Sequence, residues 1–556
     1  MIMRFKAVNW RFYISLVFLG VVTLGVVTRL LYLSVLNRSF LVEQSTARIE
    51  RIIDLPASRG MIMDRNGTPL AVSTPVETLW INPKTFSITS AQLSQLAALL
   101  QVSAKSLTEK IHQSAQKGFL YLERRLPPQV SDKIKALNIP GLHFLVEYKR
   151  FYPEAEVSAH VIGFTNVDDQ GQEGLELAYD QWLSGKPGKM RVIKDRLGYI
   201  VSDVQELKAA EQGHDLVLSL DERLQYIAYR DLKEAVEKFQ AQGGSVVVLD
   251  AKTGEILAEV NQPSYNPNNL MNTHRDNFRN RAVTDMFEPG STIKPFTIAL
   301  ALMSKLYHVE SKVDIGHGWM VVGGYRIEDH GFHGGLLNLG EILKYSSNIG
   351  AAKIMLSLSP KDYWSLLHRV GFGQKTVSGF PGEATGSLID RPRWYDSEVA
   401  SLAYGYGMAV TSLQLAQAYS VFANGGLLKP VSFLKQAKAS LAESVMPPQV
   451  AATVLQLLEQ VVIAPDGTGH RAQVEGYRVA GKTGTAYIAG PHGYDKHHYV
   501  SSFVGIAPVS NPALVVSVVI RDPHGHHFGA EVAAPVFQDV MGDALRLLNV
   551  PPDRTE

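Results

Sequence analysis

The sequence predicts an α+β protein in which an antiparallel sheet packed with helices follows an N-terminal α/β region and one transmembrane helix. Three observations lead to this prediction. An apolar stretch stands near the N-terminus, two strand-like runs lie between Ser245 and Val260, and three more lie between Arg478 and Arg521. The residues between these two groups of runs have mostly helical patterns. Strands at both ends of a helical region favour one sheet covered by helices.

Length and composition narrow the class of protein. The chain has 556 residues, so we expect roughly two to four domains rather than one core. With 54 basic and 53 acidic side chains the formal net charge is +1, and no basic excess favours a nucleic-acid partner. Cysteine is absent, which excludes thiol catalysis, disulfides and cysteine-based zinc sites.

An apolar segment near the N-terminus is long enough to cross a bilayer. Phe12 to Thr28 carries no charge, and Leu30 to Leu36 continues the apolar character after Arg29. A bilayer core needs about 20 such residues. The alternative is a cleaved signal peptide, whose apolar region has about 7–15 residues and ends at a small-residue site. Because this segment is longer and offers no such site, we predict an uncleaved anchor.

The charges that flank this segment predict its orientation. Three basic residues precede it: Arg4, Lys6 and Arg11. Basic flanks stay on the cytoplasmic side of a membrane. We therefore expect residues 1–11 to be a cytoplasmic tail, residues 12–34 a single-pass transmembrane helix, and the rest of the chain to lie on the far side of the membrane.

Two further domains are predicted beyond the anchor. Residues 35–217 mix short strands with amphipathic helices and contain no recognisable catalytic cluster, as in a scaffold or interaction domain. Residues 218–548 open with a helix that Asp221 can cap and that runs to about Phe239, where Gly243-Gly244 should end it before a strand from Ser245 and the rest of the sheet. Residues 549–556 form a C-terminal tail.

The first chemical motif places a serine and a lysine on one helical turn. In Glu288 to Pro295, a Pro-Gly pair precedes Ser291, and Pro295 is best tolerated in a first helical turn. A helix should therefore begin near Ser291, which lets the Lys294 amine, three residues later, reach the serine hydroxyl. Such a serine needs a neighbouring base to become a nucleophile. Taken alone, a capping serine beside a solvated lysine explains the motif better.

Two more motifs gain meaning only beside the first. Ser346-Ser347-Asn348 follows a helical run and could present a hydroxyl and an amide to a cleft, although alone it reads as a polar helix end. Lys482-Thr483-Gly484-Thr485 suits a strand that a substrate approaches closely, although alone it reads as a strand end with a surface lysine. In this order, the three motifs form the set found in serine β-lactamases and penicillin-binding proteins.

Beyond these motifs the chain resembles class B penicillin-binding proteins along nearly its whole length. Within that family it is most similar to the division-specific septal transpeptidases of the FtsI type. The segments that carry the resemblance are Arg59 to Gly67, Arg150 to Pro153, His160 to Asn166, Glu173 to Glu176, Gly405 to Met408 and Ser502 to Gly505. The resemblance implies a serine β-lactamase/transpeptidase-like domain on an elongated pedestal, periplasmic and anchored in the bacterial inner membrane.

The resemblance also implies a role for each motif residue. Ser291 would attack the penultimate D-alanine carbonyl of a peptidoglycan stem, with Lys294 as base, and β-lactams would acylate the same serine. Ser346 and Asn348 would relay a proton and hold the substrate. The substrate carboxylate would be bound by the Lys482-Thr483-Gly484-Thr485 strand, and the N–H groups of Ser291 and Thr485 would form the oxyanion hole. No cofactor or metal is implied.

One stretch departs from the family pattern. Where the family usually has a Tyr-Tyr-Gly-Gly-like run, this chain has His527 to Ala530, which leaves the fit of substrate and β-lactam at that wall open. Other histidines fall in two predicted loops nearby: His492, His497, His498, His524 and His526. A metal site is conceivable there because histidine is a common ligand, but solvated loop histidines, or modulation near pH ~6, fit better.

Several alternatives share the same motifs. A secreted β-lactamase would need no anchor, and a bifunctional class A protein would need a glycosyltransferase domain, for which we find no motif. A non-enzymatic penicillin sensor usually has several membrane spans, and an elongation-specific class B enzyme is the nearest alternative. For the septal type, the expected partners are stem peptides, β-lactams, the septal membrane glycosyltransferase FtsW and other divisome proteins, with no nucleic acid.

Overall fold

The structure is a computed structural model that describes residues 10–194, 200–331, 334–437, 441–490 and 493–554. The chain divides into two compact units. The first unit comprises Met1–Ser58, Pro75–Lys149 and Gly185–Gln212, and the second comprises Arg59–Thr74, Arg150–Ser184 and Gly213–Glu556. The predicted domain limits, 35–217 and 218–548, stay predictions.

The N-terminal part of the chain alternates helices and strands. Its helices are α1 (Trp10–Leu31), α2 (Arg38–Ile49), α3 (Ser90–Leu99), α4 (Ala104–Gln113), α5 (Pro128–Ala136), α6 (Ala159–Ile162), α7 (Gly174–Ala178) and α8 (Asp180–Leu183). Its strands are β1 (Glu50–Leu55), β2 (Ile62–Met63), β3 (Pro69–Ile81), β4 (Leu120–Leu126), β5 (Leu142–Phe151), β6 (Gly188–Lys194), β7 (Ile200–Lys208) and β8 (Leu216–Val217).

In the C-terminal part, the strands of the main sheet lie before and after a mostly helical middle, as predicted. Its helices are α9 (Glu222–Lys238), α10 (Arg281–Thr284), α11 (Lys294–Met303), α12 (Leu339–Lys344), α13 (Asn348–Leu356), α14 (Pro360–Arg369), α15 (Asp396–Ala403), α16 (Ser412–Ala423), α17 (Pro448–Ile463) and α18 (Gly529–Leu547). Its strands are β9 (Gly243–Asp250), β10 (Ile256–Gln262), β11 (Lys312–Asp314), β12 (Trp319–Val322), β13 (Tyr325–Glu328), β14 (Leu336–Asn338), β15 (Leu427–Leu428), β16 (Glu443–Ser444), β17 (Ala480–Gly490), β18 (Gly493–Ala507) and β19 (Leu514–Arg521).

The predicted membrane segment is one continuous helix. Helix α1 and the π-helical turn Tyr32–Leu36 together span 27 residues, and an 18-residue stretch within them has a mean hydropathy of 2.2 and no buried residue. By length and composition this helix can cross a bilayer. It is the anchor candidate that the sequence predicted.

The first unit has its own small core. One antiparallel sheet has the order β1-β6-β7, and elsewhere β3 pairs with β4. Helices α3 and α4 begin at capping side chains, Thr89 and Ser103, which accept hydrogen bonds from backbone N–H groups of the first turn. Leu79, Leu96 and Leu122 are among the buried residues that join these helices to the sheet.

Within the second unit, a buried ion cluster joins segments far apart in sequence. Glu176 is fully buried, and each of its carboxylate oxygens lies 2.6 Å from a guanidinium, one of Arg59 and one of Arg150. Arg59 also pairs with Asp180 at 2.7 Å. Breaking a buried pair leaves an uncompensated charge, so the cluster constrains these segments strongly. These segments, which resemble the family's pedestal, therefore pack in the unit that contains the catalytic sheet.

The five-stranded sheet of the second unit confirms the predicted antiparallel architecture. Its order is β10-β9-β19-β18-β17, with every neighbouring pair antiparallel. Successive β9 residues point to opposite faces. Val246 and Val248 pack with α9 and α18, whereas Val247 and Leu249 pack with the helices between β10 and β17. The sheet is therefore buried on both faces, and β17 forms its edge.

Two predicted boundaries are wrong. Helix α9 starts at the Asp221 cap and ends at Lys238, with Phe239 as its C-cap, as predicted. Gly243 and Gly244, however, do not precede the next strand but begin it, and Gly244 pairs with Ile520 in β9. The strand predicted to begin at Arg478 begins at Ala480 and continues through the third motif to Gly490. Both errors arise because strand pairing with distant segments sets these limits, and local patterns do not report it.

A fully buried carboxyl group lies on the edge strand β10. Glu259 accepts a hydrogen bond from the Asn280 amide, while its second carboxyl oxygen has no partner. Burial raises the pKa of Glu259 to about 8. The carboxyl group therefore carries a proton at neutral pH in the folded chain, whereas in the unfolded chain it would be ionised.

Glu259→Gln should change how stability depends on pH. Because the folded-state pKa lies above the unfolded one, the contribution of Glu259 to stability is complete below pH ~4.5 and is lost as pH rises through about 8. As pH rises from 5 to 8, the melting temperature of the variant should therefore increase relative to that of the wild type. The corresponding change in the difference between their unfolding free energies is on the order of 4 kcal/mol. Scanning fluorimetry across this pH range measures it.

The matched control is Glu475→Gln, because Glu475 is exposed. Its melting curve should follow the wild type at every pH. Parallel pH curves for Glu259→Gln and the wild type would contradict the buried, protonated state.

Candidate active site

A cleft of about 680 Å³ lies beside the edge strand β17. Its lining comes from all three predicted motifs and from five other segments: Ser291, His330, Gly331, Tyr345, Ser346, Asn348, Tyr404, Tyr406, Pro465, Gly467, Thr468, His470, Arg471, Thr483, Thr485, Ala486, Tyr487, Tyr499 and His527 to Glu531. All of these residues belong to the second unit. The structure thus brings the three motifs to one concave surface, as expected for a catalytic site.

Tight backbone packing fixes the turn that presents Ser291. Residues Gly290–Ile293 form a 3-10 turn that leads into α11, close to the predicted helix start. Gly290 has a φ of +53°, and its N–H donates to the carbonyl oxygen of Gly405 at 3.1 Å. A Cβ at Gly405 would lie 2.1 Å from the Gly290 oxygen. Glycine is therefore required at the point where these two segments of the backbone meet.

The lysine of the first motif lies under the serine, with no exposed surface. Lys294 Nζ is 3.0 Å from Ser291 Oγ, as the three-residue spacing predicted. It is also within hydrogen-bonding distance of Ser346 Oγ at 3.1 Å and Asn348 Oδ1 at 2.8 Å. One amine thus joins the nucleophile candidate to the second motif.

A left-handed residue orients the second motif. Ser346, which follows α12, has a φ of +59°, an uncommon conformation for a residue with a side chain. Its carbonyl oxygen and its hydroxyl both contact Lys294 Nζ. Ser347 then caps α13 by accepting from the N–H of Gly350. The middle serine is therefore structural, while its two neighbours face the cleft.

The sequence analysis missed Asp329, which fixes this motif from outside. One carboxylate oxygen of Asp329 accepts from the N–H groups of Asn348 and Ile349, and the other accepts from the Ser347 hydroxyl. A carboxylate at these free N–H groups stabilises the start of α13. No spacing rule would have identified an aspartate in the loop after β13.

The third motif adds a second buried lysine. Lys482, on β17, is fully buried, and its Nζ lies 3.0 Å from Ser346 Oγ and 3.2 Å from Thr483 Oγ1. Ser346 Oγ therefore lies between two amines. Thr485 Oγ1 accepts from the N–H of Gly529, which ties the start of α18 to the same strand.

Burial changes the acid–base properties of both amines. Burial lowers the pKa of Lys294 to about 7, against an opposing effect of the negative charge of Asp329. Burial and the nearby Lys294 lower the pKa of Lys482 well below its usual value. An amine that is neutral near pH 7 can accept a proton from a hydroxyl 3.0 Å away. The arrangement can therefore activate Ser291 as a nucleophile.

The glycine of the third motif allows β17 to pack closely beside the cleft. A Cβ at Gly484 would come 2.3 Å from Ser502 Oγ and 2.9 Å from a methyl carbon of Thr292. This glycine therefore lets the strand pack against both β18 and the turn that bears the serine. The other motif residues of the strand, Thr483 and Thr485, line the cleft.

Aromatic side chains form the far wall of the cleft. His527 stacks on Tyr499, with ring centroids 4.3 Å apart, and also contacts Phe528 at 4.4 Å. Tyr499 pairs with Tyr487 of β17, whose N–H donates to the hydroxyl of Tyr406, and Tyr406 packs edge-on against Tyr494. The stretch that departs from the family pattern, His527 to Ala530, thus lies in the cleft wall.

The other histidines do not converge. His497 and His498 lie on β18 rather than in a loop, and His498 Nδ1 is 2.6 Å from Asp522. His526 lies 3.2 Å from Glu531. In the part of the chain that the structure describes, no three His, Cys, Asp or Glu side chains are grouped as metal ligands would be. His492 lies outside the described residues.

Glu288 is a second residue that sequence reasoning left aside. One of its carboxyl oxygens accepts from the N–H of Gly407 and from the hydroxyl of Tyr494, while the other is buried without a partner. Burial raises the pKa of Glu288. It connects the segment before Ser291 to the Gly405–Gly407 turn and to the β17–β18 hairpin.

Comparison with known proteins gives two family matches. Residues 244–542 match the penicillin binding protein transpeptidase domain, and residues 54–218 match the penicillin-binding protein dimerisation domain. Together they cover most of the chain beyond the membrane segment.

Two curated relatives match this chain over nearly its whole length and over nearly their own. The chain is 43% identical over 549 residues to the probable peptidoglycan D,D-transpeptidase PbpC of Pseudomonas aeruginosa, covering 99% of this chain and 97% of that protein. It is 39% identical over 553 residues to the peptidoglycan D,D-transpeptidase FtsI of Escherichia coli K12, covering 98% and 93%. Among solved structures, the transpeptidase domain of Burkholderia pseudomallei penicillin-binding protein 3 is 43% identical with a TM-score of 0.56, covering 61% of this chain and 98% of that domain.

Proposed function

This chain belongs to the penicillin-binding proteins with the class B architecture, a dimerisation domain followed by a transpeptidase domain, and we propose that Ser291 is its catalytic nucleophile. The function is that of a serine-type peptidoglycan D,D-transpeptidase, the activity for which its full-length relatives are named. One observation carries the assignment of the nucleophile. Ser291 Oγ lies 3.0 Å from a fully buried lysine amine whose pKa is lowered to about 7.

Acylation is the first step of the proposed reaction. The Ser291 hydroxyl gives its proton to the neutral amine of Lys294 and attacks the carbonyl carbon of the penultimate D-alanine. The terminal D-alanine leaves as an amine after receiving a proton. Ser346 Oγ, 3.1 Å from Lys294 Nζ and 3.0 Å from Lys482 Nζ, is placed to relay that proton. An ester between the stem peptide and Ser291 remains.

The second step transfers the acyl group. The amine of a neighbouring stem attacks the ester, a new amide forms, and Ser291 recovers its proton. If water attacks instead, the product is a shortened stem, so the same site would support D-Ala-D-Ala carboxypeptidase activity. We assign the N–H groups of Ser291 and Thr485 to the oxyanion hole, where fixed donors stabilise the developing negative charge.

The remaining motif residues hold the substrate in this proposal. Asn348 Oδ1 lies 2.8 Å from Lys294 Nζ, so its amide can bind the stem while fixing the base. Thr483 offers a hydroxyl to the terminal carboxylate and Gly484 allows the close approach. A β-lactam presents a strained amide in place of the D-alanyl-D-alanine bond, so it should acylate the same serine.

We propose a septal role in the inner membrane for this enzyme. The similarity to FtsI over 98% of the chain supports the division function. The basic residues before the membrane segment support a cytoplasmic N-terminus and a periplasmic catalytic unit. Because the two matched domains are a dimerisation domain and a transpeptidase domain, we expect it to work with a membrane glycosyltransferase of the FtsW type and with other divisome proteins.

Ser291→Ala should abolish covalent labelling by a fluorescent penicillin, because it removes the hydroxyl that lies 3.0 Å from the buried amine of Lys294. Lys294→Ala should reduce labelling by several orders of magnitude, since the base is lost. Gel fluorescence and peptide mass spectrometry measure the adduct. Ser347→Ala is the matched control, because its hydroxyl caps α13 and does not face the cleft. An adduct on Ser346, or labelling that persists in Ser291→Ala, would refute the assignment.

The acylation rate should depend on pH through Lys294. Below its pKa of about 7 the amine is protonated and cannot act as base, so the second-order rate should fall about tenfold per pH unit. Above pH 7 the rate should level off. Asp329→Asn removes the negative charge that raises this pKa, so the rising limb should move to lower pH. Stopped-flow measurements from pH 5.5 to 8.5 test both, and a flat profile would be inconsistent with Lys294 as base.

Depletion of the protein should block septation and give filamentous cells, because the proposed cross-linking acts at the septum. Time-lapse imaging with a fluorescent D-amino acid measures the site of cross-linking. The Ser291→Ala protein, expressed during depletion, should fail to restore division while the wild type does. Round cells that still divide would instead indicate the elongation-specific function. Co-purification from membranes tests the FtsW-type partner.

A further inference from the structure

The buried lysine of the third motif has no hydrogen left for a substrate. Lys482 Nζ contacts Ser346 Oγ at 3.0 Å, and the carbonyl oxygen and hydroxyl of Thr483 at 3.2 Å each. Even as an ammonium group with three donors, Lys482 would use all of them in these three contacts, and the neutral amine has only two. Its pKa is also lowered well below the usual value. Lys482 therefore supplies little fixed positive charge to the surface of the cleft.

The proposed substrate nevertheless brings a full negative charge to this place. A terminal D-alanine ends in a free carboxylate, and so does the ring system of penicillin. Taking a carboxylate out of water is costly unless a cation pairs with it. The Thr483 hydroxyl is a neutral donor. A second, permanently charged group should therefore lie at the same end of the cleft.

Arg471 is the only arginine among the described residues that line the cleft. It lies in the 3-10 turn His470–Ala472, between α17 and β17. The preceding segment is tied to the second motif, because Thr468 donates its N–H and hydroxyl to the carbonyl oxygen of Lys344. Arg471 thus lies on the segment that bounds the cleft next to Ser346.

The direction of β17 separates the two ends of the cleft. The strand runs from Ala480 to Gly490, so the two ends can be named by the residues that each contains. Ala486 and Tyr487 lie at the end where Tyr406 meets the strand, since the Tyr487 N–H donates to the Tyr406 hydroxyl. Thr483 lies at the other end, nearer to the start of the strand. We call this second end the leaving-group end.

The side chain of Arg471 is free to bind an anion. It is 59% exposed, and its guanidinium lies 4.0 Å from the carboxylate of Glu531, beyond hydrogen-bonding distance. Glu531 itself lies closer to His526, at 3.2 Å. An exposed pair at this distance adds little to stability, so a purely structural role accounts poorly for a guanidinium in the cleft wall.

We propose that Arg471 is the residue that recognises the free carboxylate at the leaving-group end of the cleft, in the terminal D-alanine of the stem and in penicillins alike. This proposal rests on the function proposed above. A guanidinium presents two parallel N–H donors to a carboxylate and keeps its charge at all physiological pH values. Thr483 then fixes the position of the carboxylate, and Lys482 fixes Thr483 and Ser346.

The test compares a penicillin with its uncharged ester. Benzylpenicillin and its methyl ester contain the same strained amide but differ in the carboxylate. The second-order rate of Ser291 acylation is measured for both compounds with the full-length wild type, Arg471→Gln and Arg471→Lys. The quantity of interest is the ratio of the acid rate to the ester rate, because it cancels any general effect of a substitution on folding or on the base.

In Arg471→Gln this ratio should fall roughly ten- to a hundred-fold, the effect of losing one charge-assisted hydrogen-bonding partner. Arg471→Lys should restore part of it, because lysine keeps the charge but not the two-pronged geometry. Arg230→Gln is the matched control: Arg230 pairs with Asp231 and Asp543 on the outer surface of α9, and its removal should leave the ratio at the wild-type value.

An unchanged ratio in Arg471→Gln overturns the proposal, whether the two rates stay the same or fall together. This failure is distinct from failure of the proposed function. If wild-type Ser291 forms no adduct, the catalytic assignment itself is wrong. If it forms the adduct with an unchanged ratio in Arg471→Gln, only the role of Arg471 is refuted.

Discussion

The site depends on the burial of two lysine amines around one hydroxyl group. Lys294 and Lys482 are both fully buried, and both lie within hydrogen-bonding distance of Ser346 Oγ. Two ammonium groups so close together, shielded from water, would repel each other strongly. The fold therefore favours a neutral amine at this place, and in the proposed mechanism a neutral amine beside Ser291 activates its hydroxyl as a nucleophile.

Most of the surrounding architecture holds these amines in place. The sheet supplies Lys482 from its edge strand, and α11 supplies Lys294 from its first turn. The second motif depends on Ser346, whose left-handed backbone turns both its oxygens toward Lys294. It also depends on Asp329, whose carboxylate holds the start of α13. Strained backbone of this kind persists only where its surroundings over-determine it.

Much of the fold was predictable because its signals are local. The Asp221 cap, the alternation of the strands and the three-residue spacing of Ser291 and Lys294 are all written in short segments. The limits of β17 and β18 were not, because pairing between two distant strands sets them. The buried cluster around Glu176 was also hidden, since its partners, Arg59 and Arg150, lie far away in sequence.

The sequence by itself determined the order and identity of the three motifs, the long apolar helix near the N-terminus and the antiparallel sheet. Only the tertiary structure decided that Asp329 supports the second motif, that Lys482 makes its hydrogen bonds to other protein groups, and that Arg471 lines the cleft. The physical reason is that burial, charge and hydrogen-bonding capacity belong to a place in space. Residues that meet there after long loops share no spacing that a sequence pattern could record.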